Sequence, residues 1–238
     1  IIEYKKIQDA LKDSIKINEI KPSAIEFVDK TTLKQIKYKF DKQTKCLLFV
    51  EFDDKIITSE KRLKSGIIGK IVKRLIKESE IFQWWKFRDS SLHYSLKSIK
   101  KEKRIPHTIE DSAVPIENLS KLFVVLDKIN KKFNTKSITY GHVGNGNIHI
   151  RLISDRKRKE MIKKITSQFF DEIFRLDGTI TAEHGDGLAR SEFIKKQYGE
   201  KNYQIFKEIK KLFDPNNILN PGKIISKKSS IIENLNNF

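Results

Sequence analysis

"YGHVGNGNIHIRL" (residues 140–152) sets two histidines around a short polar turn, in a chain with five histidines in all. Asn145-Gly146 is a strong hairpin signal, because a type I′ turn needs positive φ at both central residues. With these two as the loop, 144 pairs with 147, 143 with 148 and 142 with 149. His142 and His149 then become cross-strand neighbours on one face, with Cβ atoms about 5 Å apart. That separation suits two ligands of one metal ion, and imidazole is the commonest metal ligand. Tyr140 and Arg151 pair next along the same face, while Val143, Ile148, Ile150 and Leu152 turn to the other, ready for a core. The plainer alternative is a pair of histidines stacked at a sheet surface.

Outward from the hairpin, strands and amphipathic helices alternate. Residues 4–19 read as a helix through Ile7, Leu11, Ile15 and Ile17. "KPSAIEFVDK" gives a short strand over 25–28, and "CLLFVEFDD" (46–54) a clear one of the kind found inside a covered sheet. Residues 59–79 have Leu63, Ile67, Ile71 and Leu75 at helical spacing, and "IFQWWKFRDSSLHYSLKSIKKEKR" predicts one or two more helices. "HTIEDSAVP" (107–115) reads as a strand stopped by Pro115, and 116–133 as a strongly periodic helix. After the hairpin come a helix over 156–176, a strand over 178–187 running into a glycine-permitted bend, and shorter helices over 188–198 and 200–212. The polar tail 226–238 is expected to fray. This pattern predicts an α+β domain with an antiparallel sheet, helices packed on one face, and a C-terminal helical segment.

At 238 residues, with 38% hydrophobic and 34% charged, the chain reads as globular with a heavily charged surface. Cys46 is the single cysteine, which excludes an internal disulfide framework. No apolar run approaches the roughly 18 residues of a membrane span, and the start lacks a signal-peptide pattern. The first residue is Ile, so a fragment of a longer chain or a trimmed one is expected. The net charge of +18 is spread along the sequence and interleaved with Glu, as in "KKEKRI". This favours a solvated basic surface over a specific nucleic-acid site.

The second concentration of chemistry is "TAEHGDGLAR" (181–190). In a strand Glu183 and His184 would point to opposite faces; Gly185 and Gly187 let the backbone bend so that both reach one site. Glu183 would add an oxygen ligand to His142 and His149. Two histidines and one carboxylate with open positions are typical of catalytic metal sites. The alternative pairs Glu183 with a surface lysine and leaves His184 as a satisfied, partly buried histidine.

"GHVGNGNIH", "AEHGDGLAR" and "FDPNNILNPGKI", in that order, resemble the C-terminal domain of FAD-linked oxidases, a family that includes D-lactate dehydrogenase, the flavin subunit of glycolate oxidase and D-2-hydroxyglutarate dehydrogenase. "PSAIEFVD" and "IEDSAVPIENL" extend the resemblance over most of 1–238. It implies a ferredoxin-like α+β substrate domain over a flavin, with His142, His149 and Glu183 holding a divalent metal, usually zinc. It further implies that His184 is the base for the substrate hydroxyl, that Asn147 lines the site, and that Asn220 lies near FAD. Tyr140 and Arg151, on the histidine face of the hairpin, are expected to contact the substrate with Asn147. Arg88, in "WWKFRD", would grip the substrate carboxylate, a role that suits bidentate guanidinium pairing. Three departures stand out. Asn145 replaces the usual Asp. Ile109 stands where hydroxyglutarate-type members carry lysine. The family's N-terminal flavin-binding domain is absent from these residues.

The expected function is therefore the substrate and metal domain of an FAD-dependent dehydrogenase or oxidase of D-2-hydroxy acids, D-lactate or glycolate-like. The hydride would pass to FAD on a separate domain or subunit, leaving the isolated domain inactive. The expected setting is the cytoplasm, either free or peripheral to the inner face of the membrane. A homo-oligomer is compatible with this reading. The rival is a basic, non-catalytic binding or assembly subunit that retains the fold.

Overall fold

The structure, a computed structural model, describes residues 1–33, 38–54, 56–91, 93, 103–104, 108–155 and 159–226. Its centre is an antiparallel sheet. The strands are β1 (Ile2–Tyr4), β2 (Ala24–Asp29), β3 (Cys46–Glu51), β4 (Lys70–Ile71), β5 (Lys103–Arg104), β6 (Ser112–Ala113), β7 (Lys136–Gly141) and β8 (Asn147–Asp155). Their order is β4-β1-β3-β2-β7-β8-β5, with β6 also paired to β8.

Alternation along the strands divides the side chains between two faces. Ile25, Phe27, Cys46, Leu48, Ile150 and Leu152 turn to the first face and form the main core. Over them pack α1 (Ile7–Asn18), α3 (Ile56–Gly66), α5 (Leu119–Phe133) and α6 (Lys159–Arg175). In α6 the buried Ile162, Ile165, Thr166, Phe169, Phe170 and Ile173 follow the helical period. Val28, Leu47, Phe49 and Tyr140 turn to the second face, covered in part by Trp84 and Phe87 of α4 (Glu78–Asp89). A four-residue helix, α2 (Lys30–Leu33), follows β2. The fold is thus the expected ferredoxin-like α+β class, with most helices on one face and α4 on the other.

The helical segment α7 (Ser191–Phe213) is continuous but for Gly199, whose φ of 79° and ψ of 166° break it where the two shorter helices were expected to meet. Elsewhere the local expectations need correction. The 4–19 segment gives its first residue, Tyr4, to β1, and only 7–18 is helical. The 59–79 pattern ends as helix at Gly66, because Asp13 Oδ2 accepts the Ile68 and Gly69 N–H groups at 2.7 and 3.0 Å and Ile71 pairs with Ile2. Helix α4 ends at Asp89; the rest of that stretch lies largely outside the described residues, as do residues 227–238 of the expected tail. Among the described residues of 107–115 only Ser112–Ala113 is strand, residue 107 lying outside them, and within 178–187 only an isolated bridge of Thr179 to Ala113 forms.

The hairpin register differs most. Tyr140 pairs with His149 and Ile138 with Arg151, two residues off the expected pairing. The turn is a 3₁₀ turn, Val143–Asn145, followed by left-handed Gly146 at φ 73°. Asn145 is not left-handed, so the type I′ loop does not form. A wider turn lets Val143 enter the core while Gly146 passes against the chain at Val114. An even slip preserves the faces, so His149, Tyr140 and Arg151 still share one.

Among the described residues no helix is long and apolar enough to cross a membrane.

Candidate metal and substrate site

The second face of the sheet carries the chemistry. Glu26 of β2 alternates with the core residues Ile25 and Phe27, and so stands on the same face as Tyr140, His149 and Arg151. His142 leaves the end of β7 beside them, its ring 5.3 Å from that of His149. The 182–184 segment crosses above. Its path is fixed by the fully buried Asp111, whose Oδ2 accepts the N–H groups of Ala182, Glu183 and His184 at 3.1, 3.0 and 2.8 Å. Gly185, with φ of 75°, makes the turn away.

These elements bring four predicted residues together. Glu183 Oε1 lies 3.3 Å from His142 Nε2, 3.0 Å from His149 Nε2 and 3.4 Å from His184 Nε2. Ligand atoms about 2.0–2.1 Å from a tetrahedral ion lie roughly 3.3 Å apart, so each nitrogen–Glu183 spacing is that of two ligands sharing a small divalent cation. Among the described residues, the set whose potential ligand atoms all lie within 4.8 Å of one another is Asp111, His149, Glu183 and His184, which includes His184 and leaves out His142. Asp111, however, is committed to backbone donors and to Asn147 Nδ2 at 3.1 Å. His184 stacks on His149 at 5.1 Å and is the more open of the two, its side chain 39% exposed against 5%.

Charge is graded across the cluster. Burial pushes the pKa of His149 down to about 4, so the ring stays neutral with a free lone pair near neutrality. The hydrogen bond to Glu26 raises His142 above its ordinary value. Burial would raise Glu110, but Arg151, then His184 and Arg190, outweigh it and hold the carboxyl below its ordinary range. For Asp111 burial is likewise outweighed, here by the His184 and Glu183 N–H groups and the Asn147 amide.

The remaining expected residues divide. Arg88 is buried and donates from Nε to Glu26 Oε2 at 2.7 Å, with Nη2 on the same carboxylate and 3.3 Å from His142 Nδ1. Arg151 donates from Nε to the Tyr140 hydroxyl at 3.0 Å and pairs with Glu110 Oε2 at 2.9 Å. Asn147 is buried on Asp111 and the Ser112 carbonyl. Asn220 stays at the surface, where its Oδ1 accepts Lys223 Nζ at 3.1 Å. Ile109 is wholly buried, so it presents nothing to a ligand.

Sequence reasoning missed Glu26, Glu110, Asp111 and Arg190. The first three carried a signal: each is an acid set among apolar or small residues in "AIEFVD" and "TIEDSAVP", where a solvated charge is out of place. Arg190, which closes on Glu110 Oε1 at 3.1 Å, had none beyond its place in the 181–190 motif.

The chain matches the family described as "FAD linked oxidases, C-terminal domain" over residues 1–224. It is 30% identical to the glycolate oxidase subunit GlcD of Bacillus subtilis (strain 168), over 88% of this chain and 46% of that protein. It is 30% identical to a D-lactate dehydrogenase of Anaerostipes hadrus, over 49% of this chain and 26% of that protein. The chain thus spans less than half the length of either relative. A crystal structure of p-cresol methylhydroxylase with substrate bound shares the fold at a TM-score of 0.63 and 12% identity, over 94% of this chain and 52% of that one. The family match over nearly all of the sequence, together with the shared fold, makes this chain a member of the FAD linked oxidase C-terminal domain family.

Proposed function

We propose that this chain is the substrate- and metal-binding domain of an FAD-dependent dehydrogenase or oxidase of D-2-hydroxy acids, glycolate- or D-lactate-like. FAD would be held mainly by a separate domain or subunit. The observation that carries the reading is the convergence of His142, His149 and His184 Nε2 on Glu183 Oε1 at 3.0–3.4 Å. Imidazole nitrogens and a carboxylate oxygen drawn to one point favour a cation there. His142, His149 and Glu183 would hold it, zinc being the ion such a donor set suits. The relatives' names, a glycolate oxidase subunit and a D-lactate dehydrogenase, support the substrate class.

When bound, the cation would supply Lewis acidity at the substrate oxygens, and FAD would supply the hydride acceptor. The chain's own residues do the rest. Arg88, whose Nε and Nη2 are engaged by Glu26, would meet the substrate carboxylate through Nη1. His184 accepts the hydroxyl proton at Nε2, because its Nδ1 is engaged by Glu110 Oε1 at 3.1 Å. The charge of Glu110 stabilises the imidazolium that results. Tyr140, Arg151 and Asn147 keep the floor of the site rigid.

The test is anaerobic mixing of the chain, assembled with its flavin-binding half, with D-lactate, glycolate and D-2-hydroxyglutarate. Bleaching of the flavin band by one of the first two is expected, slowed about 10²-fold or more by His184→Ala. Failure of every 2-hydroxy acid to bleach the flavin would contradict the assignment.

A further inference from the structure

Each histidine of the cluster is held from behind by its other ring nitrogen. His149 Nδ1 lies 3.3 Å from the Glu110 carbonyl oxygen, and His184 Nδ1 lies 3.1 Å from Glu110 Oε1. His142 Nδ1 lies 2.6 Å from Glu26 Oε1, closer than the 3.3 Å to the donor Arg88 Nη2, so the carboxylate sets its proton. For His149, Glu183 Oε1 is an acceptor at Nε2 as the Glu110 carbonyl is at Nδ1. The Glu183 side chain, however, is 45% exposed and has water as an alternative partner, whereas the carbonyl side of the ring is buried. The His149 proton therefore belongs on Nδ1 and the lone pair on Nε2. The two carboxylates are themselves anchored by guanidinium groups. Arg88 Nε donates to Glu26 Oε2 at 2.7 Å, while Arg151 Nη1 and Arg190 Nη2 reach the two oxygens of Glu110 at 2.9 and 3.1 Å. Both acids are almost wholly buried, which excludes water as a competing partner.

We propose that Glu26 and Glu110 are the positioning residues of the site: they fix His142, His149 and His184 as Nδ1–H tautomers and turn the three Nε2 atoms toward Glu183. The chains Arg88–Glu26–His142 and Arg151/Arg190–Glu110–His184 then act as two rigid struts. Partners of this kind set ring orientation and raise ligand basicity, and their loss typically costs 10–100-fold in metal affinity. The consequence for metal affinity rests on the metal reading above, whereas the tautomer assignment does not.

The experiment is a long-range proton–nitrogen correlation spectrum of the ¹⁵N-labelled, metal-free chain at alkaline pH, where the rings are neutral. Nδ1–H signatures for His142, His149 and His184 are expected; an Nε2–H signature for His149, or for both of the others, would overturn the proposal. In Glu26→Gln the new amide can donate to His142 Nδ1, so that ring should switch to Nε2–H while the other two do not. Zinc titration of the same variant should show affinity about 10–100-fold weaker than the unmodified chain. An unchanged His142 tautomer with unchanged zinc affinity would overturn the role of Glu26. Glu110→Gln, read in the same way at His184, provides the second variant, and the spectrum of the unmodified chain stands even where a variant fails to fold. A chain that shows the three Nδ1–H signatures but binds no zinc would sink the metal reading and leave the positioning intact.

Discussion

At Asp111 one carboxylate closes four hydrogen bonds, three to the backbone of 182–184 and one to the Asn147 amide. No solvent reaches it. Asp111→Ala would strand these donors, and since bonds to a charged group contribute about 1.5–3 kcal/mol each, roughly 3 kcal/mol or more of stability should disappear. Glu183 and His184 would lose their placement with it. Urea unfolding and a metal assay on the variant measure both effects; a loss below about 1 kcal/mol would contradict this role for Asp111. The histidines and Glu183 of the proposed site were legible in the sequence because glycine and histidine motifs advertise them. The buried acids behind them were not, because their partners come from strands and loops distant in the chain: Glu26 meets Arg88 and His142, and Glu110 meets Arg151, His184 and Arg190.

At the level of elements, the 140–152 turn shows how tertiary packing overrides local turn preference. Asn145-Gly146 suits a two-residue loop, yet burying Val143 and passing β6 over the turn demand a longer one. A Cβ on Gly146 would lie 1.8 Å from the Val114 carbonyl oxygen, which as backbone cannot swing aside. Adding this clash to the cost of a left-handed Ala, Gly146→Ala should destabilise by about 2–4 kcal/mol. Gly185→Ala meets nothing within 4 Å and should cost only the backbone strain, about 1–2 kcal/mol. Thermal melts of the two variants compare them; equal losses would contradict this packing account of the turn. Periodicity was a sound guide for α5 and α6, whose buried residues follow one stripe. It failed over 59–79, where the apolar spacing serves first a helix and then an edge strand.

For the whole molecule, the buried ionisable groups set the pH dependence of stability. His149 has a folded pKa of about 4 against an ordinary 6.5, so the unfolded chain takes up the proton first as pH falls. The stabilisation is complete above about 6.5 and drains between there and about 4, roughly 3 kcal/mol in all. Glu110 and Asp111, both held below the ordinary carboxylate range, act in the same direction at lower pH. His142 acts oppositely: raised by Glu26, its contribution is present below 6.5 and is lost as pH rises through its folded value. Melts of the metal-free chain should therefore fall steadily below pH 6.5, and His149→Gln should flatten that limb; an unchanged slope in the variant would contradict the neutral, buried state of His149. The central claim, a divalent cation on His142, His149 and Glu183 with His184 left free as a base, is tested most directly by metal analysis of the desalted chain beside three variants. One equivalent is expected in the unmodified chain and in His184→Ala, with little or none in His149→Ala and Glu183→Ala. A chain without stoichiometric metal, or metal kept in Glu183→Ala and lost in His184→Ala, would contradict it.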